Sequence, residues 1–351
     1  EQVRARGVSA MTGVWSDSFG WTNAVSDLAK RYTAVTTSGM SLIAGPRASQ
    51  QALRILNNGT AVLELTLPTT PNARVIVGIR FKIAALVAIG DFITLYDGTT
   101  VHDTVSLLSN GTLQIERAGT TLIAGPTTEV ATAEVWHYLC VNILIGDAGV
   151  GEVEMRLDNN EVIAPTVLDT RNAGTAQVTR IAISGAGGGA DIAYCDYVIM
   201  DGAGSSNNTT LTVDPRVDYL GVTGAGATTQ LDPSAGSNYQ NVDEVPPSTA
   251  DYNSTDVLNE LDTYAIADLD LLTSQQVYFT NAVALMHKDD AGARSGAAVL
   301  RSGGTDFVGA NLALSTTEHY TNRLDDVDPF DSATWTRNKV NATEPGAKLT
   351  V

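Results

Sequence analysis

The sequence predicts an all-β protein: a jelly-roll sandwich followed by a second, smaller β-sandwich domain. Three observations carry this. From Gly59 onward, apolar and polar residues alternate with period two, the signature of strands with one buried face. Asn-Gly, Asp-Gly and Asn-Asn pairs separate the alternating runs, and these are the residues that two-residue hairpin turns demand. The composition agrees: 32 glycines, abundant Thr and Val, and only 6% aromatic residues suit strands and turns better than helices.

Taken in order, strands are expected at 60–67, 75–81, 92–96, 113–116, 136–145, 152–158, 178–183 and 192–200. Turns fall at Asn58-Gly59, Asp97-Gly98, Asn110-Gly111, Asn159-Asn160 and Asp201-Gly202. The run from Glu152 to Asp158 shows the logic most clearly. Val153, Met155 and Leu157 must share one face, with Glu152, Glu154 and Arg156 on the other. A slip of one residue would expose every apolar side chain, so the register is fixed. Closed by tight turns, this first domain (1–202, with an N-terminal arm at 1–20) is expected to be self-sufficient.

Residues 203–215 are small and polar and end in a proline, as a linker does. The remainder, 216–351, reads as a second β domain with long loops and strands at 262–269, 277–288, 297–301 and 317–320. The glycine-rich stretches 185–189 and 221–226 are followed by neither Lys-Ser/Thr nor a helix, so they are expected to be turns rather than phosphate cradles. Thr336 is placed to cap a short helical turn reaching Asn341, with Lys339 where a capping box has Glu.

Charge narrows the partners. The formal net charge is -18, a surface that repels nucleic acid and keeps copies apart. No apolar run approaches the ~20 residues of a membrane-spanning helix, so neither nucleic acid nor membrane is an expected partner. Cys140 and Cys195 lie in apolar runs and are expected to be buried thiols. His102, His137, His287 and His319 are far apart in sequence, giving no zinc spacing, and no cofactor is expected. Asp325, Asp326, Asp328 and Asp331 crowd one segment as candidate calcium ligands, although the EF-hand spacing and its glycine are missing. The first residue is Glu1, and an initiator methionine is not normally trimmed before Glu, so residues upstream are expected to have been cleaved or to lie outside the sequence.

Two resemblances add to this reading. Arg216-Val-Asp-Tyr-Leu220, Asn241-Val-Asp-Glu-Val-Pro-Pro247, Asp328-Pro-Phe-Asp-Ser-Ala-Thr-Trp335-Thr336, Val340-Asn341 and Gly346-Ala-Lys348, in that order, resemble the second half of structural proteins of tailed-bacteriophage virions. Trp136-His137, the hairpin from Val153 to Asn159, and Asp196-Tyr-Val198 with Asp201 are similar to the concanavalin A-like (laminin-G-type) lectin sandwich, over roughly residues 15–202. The first implies a virion component and the second a carbohydrate-associated fold.

The glucanases that use this sandwich carry alternating acids on one strand. Here Glu152 and Glu154 have that spacing, but Arg156 stands where the third acid belongs. Retaining hydrolysis needs carboxyl groups about 5 Å apart across a cleft, so no catalytic residue is expected. Glu152 and Glu154 are kept as candidate carbohydrate-binding residues, with Trp15 and Trp21 in the polar N-terminal segment as candidate sugar-stacking rings. The expectation is a non-enzymatic, homo-oligomeric protein on the outer surface of a phage particle. It would be a head decoration, fibre or tail component that contacts other virion proteins and either stabilises the particle or adheres to host surface glycans. The alternatives are a depolymerase of bacterial surface polysaccharide and a secreted laminin-G-type adhesin.

Overall fold

The computed structural model describes residues 13–22, 24–47, 50–56, 61–67, 72–185, 189–202, 215–245, 247–270 and 276–351. The Asn58-Gly59 turn, most of the glycine-rich 185–189 loop, residues 203–214 of the expected linker and residues 1–12 of the expected arm lie outside that set.

Two antiparallel sheets stack face to face. The first runs, strand by strand, Asn160–Val167, Glu152–Leu157, Trp136–Leu144, Arg74–Ile83, Ile192–Met200, Gln51–Ile55, Met40–Ala44. Gly13–Asp17 pairs with the second half of Ile192–Met200, beyond a bulge at 195–198. The second sheet runs Thr120–Ala124, Leu113–Arg117, Thr100–Leu107, Ile89–Asp97, Arg180–Ser184, Val62–Thr66, Ala34–Val35. The core between them is one continuous apolar cluster that includes Phe81, Phe92, Ile115, Leu139, Val153, Met155 and Ile181. Val153, Met155 and Leu157 point inward at 0%, 0% and 3% exposure, as alternation predicts. The hairpin turn after them sits on Asp158 and Asn159, both with positive φ (50° and 70°), so the turn falls one residue earlier than Asn159-Asn160.

The second module is also all β. Its main sheet runs Val222–Thr229, Leu261–Ile266, Glu344–Leu349, Ser295–Ser302, Thr305–Val308, and the ribbon of Thr280–Met286 with His319–Asp325 packs on it. Two expectations change here. The glycine-rich 221–226 stretch is part of a strand rather than a turn. Its glycines admit a close neighbour, since a Cβ on Gly226 would lie 2.5 Å from the Thr263 backbone. Glu344–Leu349 is the central strand despite its Pro and Gly, and a Cβ on Gly346 would lie 2.0 Å from the Asp262 carbonyl oxygen. Thr336 does cap the helix Arg337–Asn341, accepting from the Lys339 N–H at 3.3 Å.

The first module is not closed on itself. On the outer face of its first sheet, Ile76, Tyr138, Cys140, Val198 and Met200 form a buried cluster under Val217, Tyr278 and Phe279 of the second module. Each such side chain buried contributes about 1.5–3 kcal/mol. A fragment ending at Asp214 is therefore expected to expose this patch and to lose stability or self-associate. A light-scattering and thermal-melt comparison with the full chain checks this, and an equally stable monomeric fragment would contradict it. Cys140 and Cys195 are both buried, and no disulfide joins them.

Candidate functional site

The outer faces of the two sheets differ. The first is capped by the second module. The second carries none of the three apolar clusters, yet its side chains are withdrawn from solvent. Thr94, Thr104, Ser106, Gln114, Ala182 and Ser184 are each 8% exposed or less. These small, mostly polar side chains are shielded without an apolar cover, so this face presents hydroxyl and amide groups rather than an apolar surface.

Register sets the layout. Glu64, Ala182, Thr94, Thr104, Glu116 and Thr121 are opposite one another across successive strands. One register step along the strands, Arg180 is opposite Tyr96. The Arg180 guanidinium lies 3.8 Å from the Tyr96 ring centroid and 2.5 Å from Glu64 Oε1. Burial raises the Tyr96 phenol above its ordinary pKa, with the Arg180 charge opposing. Four inter-strand steps separate Glu64 from Glu116, roughly 19 Å at about 4.8 Å per step. Those two acids cannot act as a hydrolytic pair.

Behind this face lies His102, 0% exposed. Its Nδ1 accepts from the Asn172 N–H at 3.3 Å, which leaves Nε2 without a partner among the described residues. Burial lowers its pKa below the ordinary value, so the ring is neutral. The loop over it is latched by Asp97, which accepts from Thr175 Oγ1 at 2.6 Å and Gln177 Nε2 at 2.9 Å. Those hydrogen bonds hold the Asp97 carboxyl below the usual carboxylate range.

The residues proposed from sequence lie elsewhere and do not converge. Trp15 and Trp21 are each 5% exposed. Arg31 stacks 4.4 Å from Trp15 and 5.6 Å from Trp21, and Trp21 Nε1 donates to the buried Asp17 at 2.8 Å. Their faces are taken up by the protein, so they are not open stacking platforms. Glu152 pairs with Arg74 at 3.4 Å and Glu154 with Arg156 at 3.0 Å, on the outer side of the first sheet. The four aspartates form no calcium cage. Three of the four are engaged in ion pairs: Asp325 with Arg323, and Asp328 and Asp331 with the Lys339 they share. Among the described residues, no three His, Cys, Asp or Glu side chains converge on a metal-sized site. His137 and Asp158 are 2.5 Å apart, and His137 Nε2 accepts from the Thr132 N–H at 2.9 Å. That histidine fastens a loop to the turn.

No family model matches the chain, and no curated protein is similar to it. Solved structures share the sandwich. An alginate lyase from Aplysia kurodai aligns with 54% of this chain and 99% of its own at 12% identity and a TM-score of 0.42. An endo-β-1,4-glucuronan lyase from the fungus Trichoderma reesei aligns with 54% and 95% at 11% identity and 0.39. The Trypanosoma rangeli sialidase aligns with 46% and 26% at 12% identity and 0.33. The likeness is one of fold. Against the expectation of a protein without enzymatic activity, several of the aligned structures are polysaccharide lyases. The physical gap in that expectation is plain: the missing third acid at Arg156 excludes hydrolysis by a carboxylate set, whereas elimination needs no such set.

Proposed function

We propose that the chain is a polysaccharide depolymerase that cleaves a uronate-containing glycan by β-elimination on the outer face of the second sheet. The observation that carries this is the Arg180–Tyr96 pair on a sheet face lined by hydroxyl and amide side chains. Elimination next to a uronate carboxylate requires a cation or hydrogen-bond donor to draw charge from that carboxylate and a group to move the α-proton. Arg180 serves the first need. The ionised Tyr96 phenol takes the α-proton, and the bond from the β-carbon to the glycosidic oxygen breaks as the double bond forms. The same phenol hands the proton to the departing oxygen. Thr94, Thr104, Gln114 and Glu116 offer hydrogen bonds to sugar hydroxyls. The resemblance of the C-terminal segments to tailed-phage virion proteins supports a placement on the outside of a phage particle. There the substrate would be bacterial surface polysaccharide and the second module would meet other virion proteins.

The test is chain shortening of soluble polyuronates, followed by the ultraviolet absorbance of the unsaturated product. Arg180→Ala and Tyr96→Phe are each expected to lower kcat by roughly 10²–10³-fold. With its pKa raised, the phenol is protonated at neutral pH. If Tyr96 is the base, kcat should climb about tenfold per pH unit up to that raised value; a flat profile would assign it the acid role instead. The net charge of -18 opposes a polyanion at long range, so added salt should speed association. Unsaturated product forming equally well in both variants would sink the proposal, as would failure to shorten any polyuronate.

A further inference from the structure

A large cleft lies away from this face, between the sandwich and the second module, with a volume of about 1070 Å³. We propose that it is a second carbohydrate site, specific for an uncharged, hydroxyl-rich oligosaccharide. Tyr219 and Tyr252 line it at 47% and 52% exposure. Among the described aromatic side chains only Phe330 is comparably open, so two of the three exposed rings face one cleft. Exposed rings at a cleft are platforms for the apolar faces of sugars.

Tyr252 is presented on fixed backbone. Its N–H donates to Ser234 Oγ at 2.9 Å, and its carbonyl accepts from the Ser234 N–H at 2.8 Å and from Asn241 Nδ2 at 3.2 Å. A ring held this way loses little conformational freedom on binding. Beside it, Asp251 Oδ1 is buried with no hydrogen-bond partner among the described residues, and so is the Thr280 hydroxyl at the same cleft. Buried polar atoms of this kind call for a partner, and sugar hydroxyls can supply one.

Charge selects the ligand class. Asp218 is matched by Arg216, and Asp290 by Arg294. Among the described residues no cation pairs with the cleft's Asp251, Asp256 or Asp289. Seven carboxylates line the cleft against five cations, Lys288 and Lys348 among them, so its net negative charge opposes a uronate, whereas the hydroxyls of a neutral sugar can donate to the carboxylates.

The experiment is calorimetric titration of the full chain with cellohexaose, laminarihexaose and maltohexaose, with sedimentation run in parallel. Saturable binding of at least one of them is expected. Tyr219→Ala and Tyr252→Ala should each weaken it by roughly tenfold, and the corresponding Phe variants should retain it. Because the proposed cleavage site is separate, Arg180→Ala should lose cleavage and keep this binding, so each proposal can fail alone. The inference is overturned if no neutral oligosaccharide binds, if the Ala variants bind like the parent chain, or if the Tyr variants change only self-association.

Discussion

Asp196→Ala is expected to lower stability by about 3–5 kcal/mol, the usual cost of removing one partner from a buried ionic group. Asp196 is 0% exposed and sits at the bulge of Ile192–Met200 with a φ of 49°. Its carboxylate accepts from two nitrogens of Arg47 at 2.8 and 2.7 Å, from Gln50 Nε2 at 2.9 Å and from Arg80 Nε at 3.2 Å. It also accepts from the Val217 N–H at 3.0 Å, and so ties the sandwich to the start of the second module. Alanine would leave two guanidinium groups without the carboxylate they share, at a left-handed backbone position that Asp and Asn tolerate and alanine resists. Asp196→Asn should therefore cost less than Asp196→Ala. Urea unfolding measures both, and hydrogen exchange at the Val217 amide reports the tie to the second module. A loss below about 1 kcal/mol for the alanine variant would show that the hub is dispensable.

Much of this architecture was legible, because period-two patterning fixes which side chains enter the core. Val153, Met155 and Leu157 are the clearest case. The hub was not legible: Arg47 and Asp196 are 149 residues apart in sequence, and only the fold brings them together. The strands Val222–Thr229 and Glu344–Leu349 were missed because Gly and Pro read as turn residues, whereas the glycines here admit close backbone approach. The covered outer face of the first sheet did leave a signal. Ile192–Met200 is buried at every position, and a run that is apolar but for Asp196 marks a strand enclosed on both faces. The candidate site was hidden for a different reason. Thr94, Thr104, Gln114 and Glu116 occupy the polar half of the alternation, and periodicity shows that they leave the core without showing how far neighbouring side chains shield them. His102 was weighed only as a metal ligand, and its burial comes from a loop some seventy residues later in the chain.

Asp103→Asn is expected to stabilise the protein at alkaline pH while leaving it unchanged in acid. Asp103 occurs in the same strand as Val105 and Leu107, on their inward face, and is 0% exposed with neither carboxyl oxygen hydrogen-bonded among the described residues. Burial pushes its pKa up to about 8; Arg117, opposite in the ladder, counteracts this and Asp169 adds to it. Arg117 cannot offset the burial fully, because its guanidinium is also bound to the Asp169 carboxylate at 2.5 Å and carbonyl at 2.9 Å. The sign follows from the protons held by each state. In the unfolded chain this group titrates near 3.9, so between about pH 4 and 8 the folded protein keeps a proton that the unfolded chain has released. Stability then falls as pH rises through that window, by about 1.4 kcal/mol per unit, on the order of 5–6 kcal/mol in all. Asparagine cannot ionise and removes this dependence. Below pH 4 the two proteins should melt together, and above pH 8 the variant should melt several degrees higher, a gap that opens steadily in between. Melting curves across that range decide the matter, because a constant offset between the two proteins would mean that Asp103 does not titrate between the two states.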